Sequence, residues 1–277
     1  NGAGKTTTMR ILAGVETPDA GEALLEGVSI IDNPGACRRR IGFMPDYLDS
    51  YPRLLVSEYL DFYSRIYGQR PPVRRRRLED VVGFTGLADM LDRPVEGLSR
   101  GWKQRLSLAR VMVNDPAALI LDEPAAGLDP RARVELRDLV LQLADRGKAV
   151  FISSHIIGDL SEMCTSVTII ENGRVRATGD LDEVRRRADR GRRVAVKLLG
   201  TDFGNVPRLA RRLAEAPGVF DIREQRDGAV FTHDGDDAFR ADILAGLVAD
   251  GFRVTDFCGA AASLEDAFIV MTGDGKE

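Results

Sequence analysis

The clearest hydrophobic pattern in the chain is a run of five apolar residues, 117–121, with turn-forming residues before it. A short, unbroken apolar run favours a strand that is buried on both faces of a parallel sheet. The segments on either side have helical spacing, because apolar residues recur three and four positions apart after Ser99 and again over 131–146. A second apolar stretch, 149–153, follows. Strands that alternate with helices predict an α/β domain.

The last third of the chain follows a different pattern. Its segments predict the order strand–helix–strand–strand–helix–strand, with strands at 194–199, 218–225, 229–233 and 252–258 and helices at 205–215 and 237–250. This order is typical of a small α+β domain of the ferredoxin-like type. A final helix is expected to start near Ser263, with Asp266 completing its cap.

Two features separate the predicted domains. The dipeptide Asn172-Gly173 lies between two short apolar segments, 167–171 and 174–178, and predicts a hairpin that closes the first domain. The segment 185–193 is rich in arginine and aspartate, which indicates a linker or a helix end. We therefore expect one domain over 1–185 and a second, accessory domain over 192–277.

Candidate chemistry begins where the apolar run ends. Asp122 and Glu123 follow it directly, and ligands of open α/β sheets lie beyond the carboxyl ends of the strands. An apolar strand followed by Asp-Glu is typical of a Walker B motif, in which Asp122 would hold Mg²⁺ and Glu123 would take a proton from the water that attacks the γ-phosphate. Two solvated carboxylates at a strand end would also explain this pair on its own.

The first residues predict a phosphate-binding loop. They match the end of the pattern G-x-x-x-x-G-K-[ST], with the chain beginning inside the loop, so we expect the strand that leads into it to precede residue 1. Glycine lets backbone N–H groups wrap phosphates, Lys5 would reach the β- and γ-phosphates, and the Thr6 hydroxyl would ligate Mg²⁺. A helix over 6–13 should follow the loop. The candidate nucleotide ligands here are Asn1, Gly2, Ala3, Gly4, Lys5, Thr6 and Thr7.

A third phosphate signal precedes the apolar run. Ser99 is a good N-cap residue, the free N–H groups of a helix start attract anions, and Gly101 permits close approach to the backbone. A capped helix without a ligand is the simpler interpretation of this segment alone. Together with the Asp-Glu pair and the later segment that ends in Asp129, however, the order and spacing resemble the signature motif, Walker B motif and D-loop of ABC transporter ATPases.

The resemblance extends from residue 1 to about residue 273 and implies a fold and an assembly. The fold would be a P-loop NTPase with a RecA-like ABC ATPase core and a helical subdomain. Two subunits, in a homodimer or a pseudo-dimer, would hold ATP and Mg²⁺ between the phosphate loop of one chain and Ser99 and Gly101 of the other. Arg100 would add a positive charge near the partner's nucleotide. Integral-membrane permease subunits would be the further partners.

Two more site residues follow from the same resemblance. His155 lies 32 residues after Glu123, where the family has a histidine that hydrogen-bonds the γ-phosphate. Asp46 occupies the position of the family's Q-loop glutamine; a carboxylate there can ligate Mg²⁺ but adds negative charge beside the phosphates. Acidic residues at this position resemble exporter ATPases of the drug-resistance and sodium-export types. The implied metal ligands are thus Thr6, Asp46 and Asp122, and the implied catalytic residues are Glu123 and His155.

The most aromatic segment, 47–68, leaves two interpretations open. Tyr59, Tyr63 and Tyr67 are spaced four residues apart, which places them on one face of a helix. That face is either packed inside the protein or exposed to a partner, since tyrosine is enriched at interfaces. The arginine-rich run that follows, 70–77, indicates a solvated turn and the start of a helix.

Composition narrows the functional class. A net charge of −4 over 277 residues argues against a nucleic-acid partner. No apolar run approaches the roughly 18 residues of a spanning helix, so any membrane role must come through partners. The family resemblance implies a cytoplasmic protein, peripheral on the inner face of the cell membrane through its permease. Three distant cysteines have no metal-like spacing. An ABC ATPase that acts on nucleic acid or ribosomes and a non-hydrolysing regulatory cassette are the alternatives, but the second would be expected to lose Lys5, Glu123 or His155.

Overall fold

The structure is a computed structural model, and it describes residues 2–46, 53–188, 192–260, 264 and 267–268. The chain divides into two compact units, one formed by residues 1–164 with 170–174 and the other by residues 165–169 with 175–277. The predicted hairpin is therefore divided, with its turn, 170–174, in the first unit and the rest of its strands in the second unit. The domain limits 1–185 and 192–277 stay a prediction.

Over the described residues between 2 and 164, the first unit consists of helices around two small sheets. Its elements in chain order are α1 (Lys5–Leu12), β1 (Leu24–Leu25), β2 (Val28–Ser29), α2 (Pro34–Arg38), β3 (Ile41–Met44), α3 (Val56–Ile66), α4 (Pro71–Thr85), two 3₁₀ turns (Ala88–Met90 and Val95–Gly97), α5 (Arg100–Met112), β4 (Ala118–Leu121), α6 (Pro130–Asp145), β5 (Ala149–Ile152) and α7 (Ile157–Met163). The parallel sheet has the order β3-β4-β5, and β1 pairs with β2 in antiparallel fashion.

The central strand β4 is buried on both faces, as its apolar run predicts. Leu119 and Leu121 are 1% and 0% exposed, and helices α5 and α6 supply Leu108, Leu136 and Leu143 to the same core. Each such side chain stabilises the fold by about 1.5–3 kcal/mol relative to an exposed position. The prediction of an α/β core with a parallel sheet is therefore confirmed.

A helical part of the first unit has its own core. Helices α3 and α4 and one face of α5 pack around apolar side chains that include Tyr59 and Leu106, both fully buried. Tyr59 therefore fits the interpretation of a packed stripe, whereas Tyr63 and Tyr67 are only partly buried. The predicted segment 47–52 lies outside the described residues. Among the described residues, no helix has both the length and the apolar character needed to cross a membrane.

The hairpin around Asn172-Gly173 forms as predicted. Strands β6 (Ser166–Glu171) and β7 (Arg174–Asp180) pair, and Asn172 and Gly173 join them with φ values of 49° and 73°. Two successive residues with positive φ are the requirement of a type I′ turn, which Asn-Gly meets at low cost.

The second unit confirms the ferredoxin-like prediction. Its remaining elements are α8 (Leu181–Ala188), β8 (Arg192–Leu198), a 3₁₀ turn (Gly200–Asn205), α9 (Val206–Ala214), β9 (Val219–Gln225), β10 (Gly228–His233), α10 (Asp237–Ala249) and β11 (Val254–Gly259). The antiparallel order β11-β8-β10-β9 is 4-1-3-2 for a βαββαβ unit. Apolar residues of α9, α10 and the inner sheet face form its core. The predicted start of a last helix at Ser263 and Asp266 lies outside the described residues.

Candidate nucleotide site

The phosphate loop surrounds a cavity at the start of α1. Gly2 and Gly4 have φ values of 81° and 98°, a left-handed conformation that glycine adopts without strain, and the helix begins directly afterwards at Lys5. The cavity has a volume of about 450 Å³, within the range of roughly 300–1,000 Å³ typical of small-molecule sites. It is lined by Gly2, Ala3, Gly4, Lys5, Thr6, Thr7, Asp46, Arg100, Glu123, Ala126 and His155.

The structure thus brings together most of the residues that the sequence predicts for one nucleotide site. Asp46, Glu123 and His155 come from the ends of three different strand–loop segments, and they meet because the strands β3, β4 and β5 are parallel neighbours. Asn1 lies outside the described residues. Asp122 is not part of the cavity lining, since its side chain is buried below the surface at 2% exposure.

The backbone of Glu123 has an uncommon conformation. Its φ is 48°, in the left-handed region that non-glycine residues rarely adopt and that clusters at functional sites. Its backbone N–H donates to the hydroxyl oxygen of Ser153 over 2.9 Å, and the same hydroxyl donates to Oδ1 of Asp122 over 2.6 Å. Ser153 therefore contacts both members of the Asp-Glu pair.

Glu123 and His155 form a direct polar contact. Oε2 of Glu123 lies 2.6 Å from Nδ1 of His155 and accepts from the His155 backbone N–H over 3.3 Å. With the carboxylate ionised, Nδ1 carries the proton, and Nε2 is then left for a ligand. Within the described part of the chain, Oε1 of Glu123 takes part in no hydrogen bond. A carboxylate with one free oxygen beside an imidazole can accept a proton from a bound water.

The donor set fits Mg²⁺. The Thr6 hydroxyl and the Asp46 carboxylate line the same cavity, and Asp122 lies behind it with Oδ1 held by Ser153. Mg²⁺ prefers oxygen ligands and is usually bound by one or two carboxylates together with substrate phosphates. These three residues therefore have the right chemistry for a magnesium site.

The signature residues lie elsewhere. Ser99, Gly101 and Asp129 line a second cavity of about 260 Å³, separate in its lining from the phosphate loop. Ser99 caps α5, because its side chain accepts from the backbone N–H of Trp102 over 3.5 Å, and Asp129 caps α6 by accepting from Ala132 over 3.0 Å. These residues are not brought to the phosphate loop of their own chain, which is what the two-chain arrangement predicts for Ser99 and Gly101.

Arg100 has a position that the sequence interpretation did not include. Its side chain lines the phosphate-loop cavity of its own chain, and the expectation that it adds a positive charge near the partner's nucleotide stays a prediction. The guanidinium lies against Gly127, where an added Cβ would overlap it. The signal that could have revealed this contact is the glycine in the segment after the Asp-Glu pair, which leaves space for a long side chain.

A third depression lies where the helical part joins the core. It has a volume of about 180 Å³ and is lined by Ala13, Val15, Arg38, Ile41, Phe43, Tyr63, Tyr67, Arg110 and Val111. Arg110 lies over the Tyr63 ring at 5.3 Å and donates to the Phe43 carbonyl over 3.3 Å. Burial raises the pKa of the Tyr67 phenol, so this side chain stays neutral at physiological pH. We call this depression the tyrosine groove.

Comparison with known proteins gives a consistent result. Residues 1–126 match the model of the ABC transporter family. The chain is 33% identical to the uncharacterized ABC transporter ATP-binding protein YxlF of Bacillus subtilis, over 97% of this chain and 86% of that one. It is 37% identical to the Nod factor export ATP-binding protein I of Ralstonia nicotianae, over 66% of this chain, and it spans only 57% of that relative's length.

A solved structure agrees with these sequence matches. The cbiO1 protein of Clostridium perfringens, part of the ABC transporter complex cbiONQ, superposes with a TM-score of 0.60 at 29% identity, over 68% of this chain and 80% of that one. The match confirms the P-loop core that the sequence predicts. On the combined evidence of the phosphate-loop cavity, the Asp-Glu pair at the end of β4 and these relatives, the chain belongs to the ABC transporter ATP-binding proteins, a family of ATPases.

Proposed function

We propose that this protein binds and hydrolyses ATP to power export through a separate membrane permease. The observation that carries the proposal is the contact between Glu123 and His155 at the phosphate-loop cavity. The exporter assignment is supported by Asp46 at the Q-loop position and by the similarity to a Nod factor export protein. The location that follows is the cytoplasmic face of the membrane.

The proposed mechanism assigns each step to a side chain. Backbone N–H groups of the phosphate loop and the Lys5 ammonium would hold the β- and γ-phosphates. Oε1 of Glu123 would accept the proton of the attacking water, and Oε2 would stay bonded to His155. The Nε2 side of the His155 ring would face the γ-phosphate, and a hydrogen bond there would stabilise the charge that develops.

Thr6, Asp46 and Asp122 are the proposed magnesium ligands. When bound, Mg²⁺ supplies positive charge that offsets the charge on the phosphate oxygens. Asp122 is held in place for this role by the hydroxyl of Ser153.

Two partners complete the proposal. A second cassette would present Ser99 and Gly101 to the nucleotide, since these residues lie on a different cavity from the phosphate loop. The permease would dock at the tyrosine groove, which offers aromatic rings, two arginines and the exposed Val15. Tyr and Arg are enriched at protein interfaces.

The test is Glu123→Gln. The amide keeps the size of the side chain but cannot accept the proton, so the turnover number for ATP should fall roughly 10²–10⁴-fold while ATP binding is retained. Each site also loses one negative charge beside the phosphates, so a dimer should persist in Mg-ATP and dissociate in ADP. Phosphate release and size-exclusion chromatography measure the two effects.

Glu96→Gln is the matched control, because Glu96 is exposed and lies in a 3₁₀ turn away from the cavity. This variant should hydrolyse ATP at the parent rate. If Glu123→Gln also keeps the parent rate, then Glu123 is not the base.

A further inference from the structure

One buried hydroxyl contacts both acidic residues of the proposed hydrolytic site. Ser153 follows β5 directly and is 5% exposed. The parallel register pairs Leu121 with Ile152, so the next residues along the two strands are Asp122 and Ser153. The Ser153 hydroxyl donates to Oδ1 of Asp122 over 2.6 Å and accepts the backbone N–H of Glu123 over 2.9 Å. The Ser153 hydroxyl thus uses its hydrogen on Asp122 and one of its lone pairs on Glu123, which are adjacent in the chain.

The bond to the Glu123 backbone has a conformational role. Glu123 is held with φ at 48°, and a non-glycine residue persists in this region only when the surrounding structure fixes it. Its carboxylate is fixed separately, by two contacts to His155. The segment 153–155 therefore holds Glu123 at both ends, with the backbone bound by Ser153 and the side chain bound by His155.

Ser153 does not itself line the phosphate-loop cavity. A group that holds a reacting side chain from behind affects the rate through geometry, since displacements of about 1 Å at a reacting group can cost on the order of 100-fold. Outer partners of metal-binding carboxylates have a comparable influence, of about 10- to 100-fold on metal affinity or activity.

We infer that Ser153 is a positioning residue for ATP hydrolysis. It fixes the backbone of Glu123, whose carboxylate would accept the proton of the attacking water, and it holds Oδ1 of Asp122, the carboxylate that would help to bind Mg²⁺. This inference rests on the proposed function, in which Glu123 is the base and Asp122 is a metal ligand. The hydroxyl acts through these two residues, since Ser153 is not among the residues that line the phosphate-loop cavity.

Ser153→Ala removes both bonds with little change in size. The turnover number should fall about 10- to 100-fold, with the KM for ATP changed less than about threefold, and the Mg²⁺ concentration for half-maximal activity should rise. Ser153→Thr keeps a hydroxyl on the β-carbon and should restore most of the rate. If the alanine variant is unstable, Ser153→Cys gives the same test, because a thiol is a weak donor and acceptor of similar shape.

A double-mutant cycle separates positioning from general stability. At saturating Mg²⁺, Ser153→Ala should lower the rate in the parent protein but should add little to Glu123→Gln, since residues that act as one unit are not additive. Multiplicative rate losses would overturn the inference. Thr85→Val is the control for loss of a buried hydroxyl: Thr85 is fully buried and its hydroxyl donates to the Val81 carbonyl within α4, so this variant should lower the unfolding temperature without changing the turnover number.

The outcomes distinguish the two proposals. If Glu123→Gln retains the parent rate, the proposed function of Glu123 fails. If Glu123→Gln is slow and Ser153→Ala turns over at the parent rate, only the positioning role fails.

Discussion

At the scale of single residues, Arg100 has two possible roles. Its positive charge acts either on the nucleotide of its own chain or on the nucleotide of the partner chain. Its side chain lies against Gly127 and lines the cavity of its own phosphate loop, together with Lys5 and His155. A guanidinium is always charged and matches phosphate geometry with paired donors. Arg100 should therefore contribute to nucleotide binding before any dimer forms.

This gives a prediction for the monomer. Arg100→Ala should weaken binding of ADP, which does not hold the dimer together, by about two- to twelvefold, the effect of the roughly 0.5–1.5 kcal/mol that one hydrogen bond contributes net. Fluorescence titration with a labelled ADP analogue at low protein concentration measures it. Lys103→Ala removes a positive charge from the same helix outside the cavity and should leave the affinity unchanged. If the Arg100→Ala monomer binds ADP with the parent affinity, then Arg100 does not act on the nucleotide of its own chain, and a role at the partner's nucleotide is favoured.

At the scale of elements, Asp115 joins three segments of the first unit. It lies in the turn between α5 and β4, where it pairs with Lys148 over 2.8 Å and with Arg77 of α4. The Lys148 hydrogen bond is the main cause that lowers the pKa of Asp115, and Arg77 adds to it. The ion pairs therefore stabilise the folded protein above the ordinary pKa of aspartate, and this contribution is lost as the pH falls through the lower pKa of the folded state.

Asp115→Asn tests this contribution. Asparagine suits the positive φ of 53° at this position, so the loss should come from charge. Because the Asp115 side chain is 44% exposed, we expect less than about 1 kcal/mol of lost stability at pH 7. The difference from the parent should be smaller at pH 3 than at pH 7, because the lowered pKa of Asp115 makes this contribution fall away in acid. Urea unfolding at both pH values measures it, and Asp80→Asn, an exposed acid on α4, should show no such pH-dependent loss.

Elements with a strong apolar pattern were predictable, and those without one were not. The βαββαβ order of the second unit and the capped start of α5 follow from local spacing and from Ser99. The 15-residue helix α4 was expected only as a helix start, because it buries only Val81 and Thr85 and its arginines obscure any periodicity. The burial of Asp122 was also not predictable, since it depends on a contact with a residue 31 positions later.

At the scale of the whole molecule, the family and the P-loop fold were predictable because the motifs combine residue type with order along the chain. The exporter role, the magnesium ligands and the permease partner stay proposals, since each depends on contacts with other molecules. The tyrosine groove is the proposed docking surface for the permease. It can be tested at Val15, whose side chain lines the groove and is 58% exposed.

Val15→Asp places a charge in this groove without disturbing a core. ATP hydrolysis that is stimulated by the permease should fall at least tenfold in reconstituted vesicles, whereas basal hydrolysis should stay within about twofold, because desolvating an unpaired carboxylate at an interface is costly. Val248→Asp is the matched control, since Val248 is equally exposed, at 58%, on α10 of the second unit. Equal stimulation of Val15→Asp and the parent would place the docking surface elsewhere.

The turn of the β6–β7 hairpin has a consequence for how the protein is made. The Gly173 backbone N–H donates to the carbonyl of Ala3 over 3.0 Å, so part of the phosphate loop is bonded to a segment 170 residues later in the chain. At ribosomal rates of about 5–20 residues per second, roughly ten to thirty seconds separate the synthesis of the two partners. The phosphate loop therefore leaves the ribosome long before the hairpin to which it is bonded. A nascent chain should form the complete phosphate loop only after the hairpin has also left the ribosome.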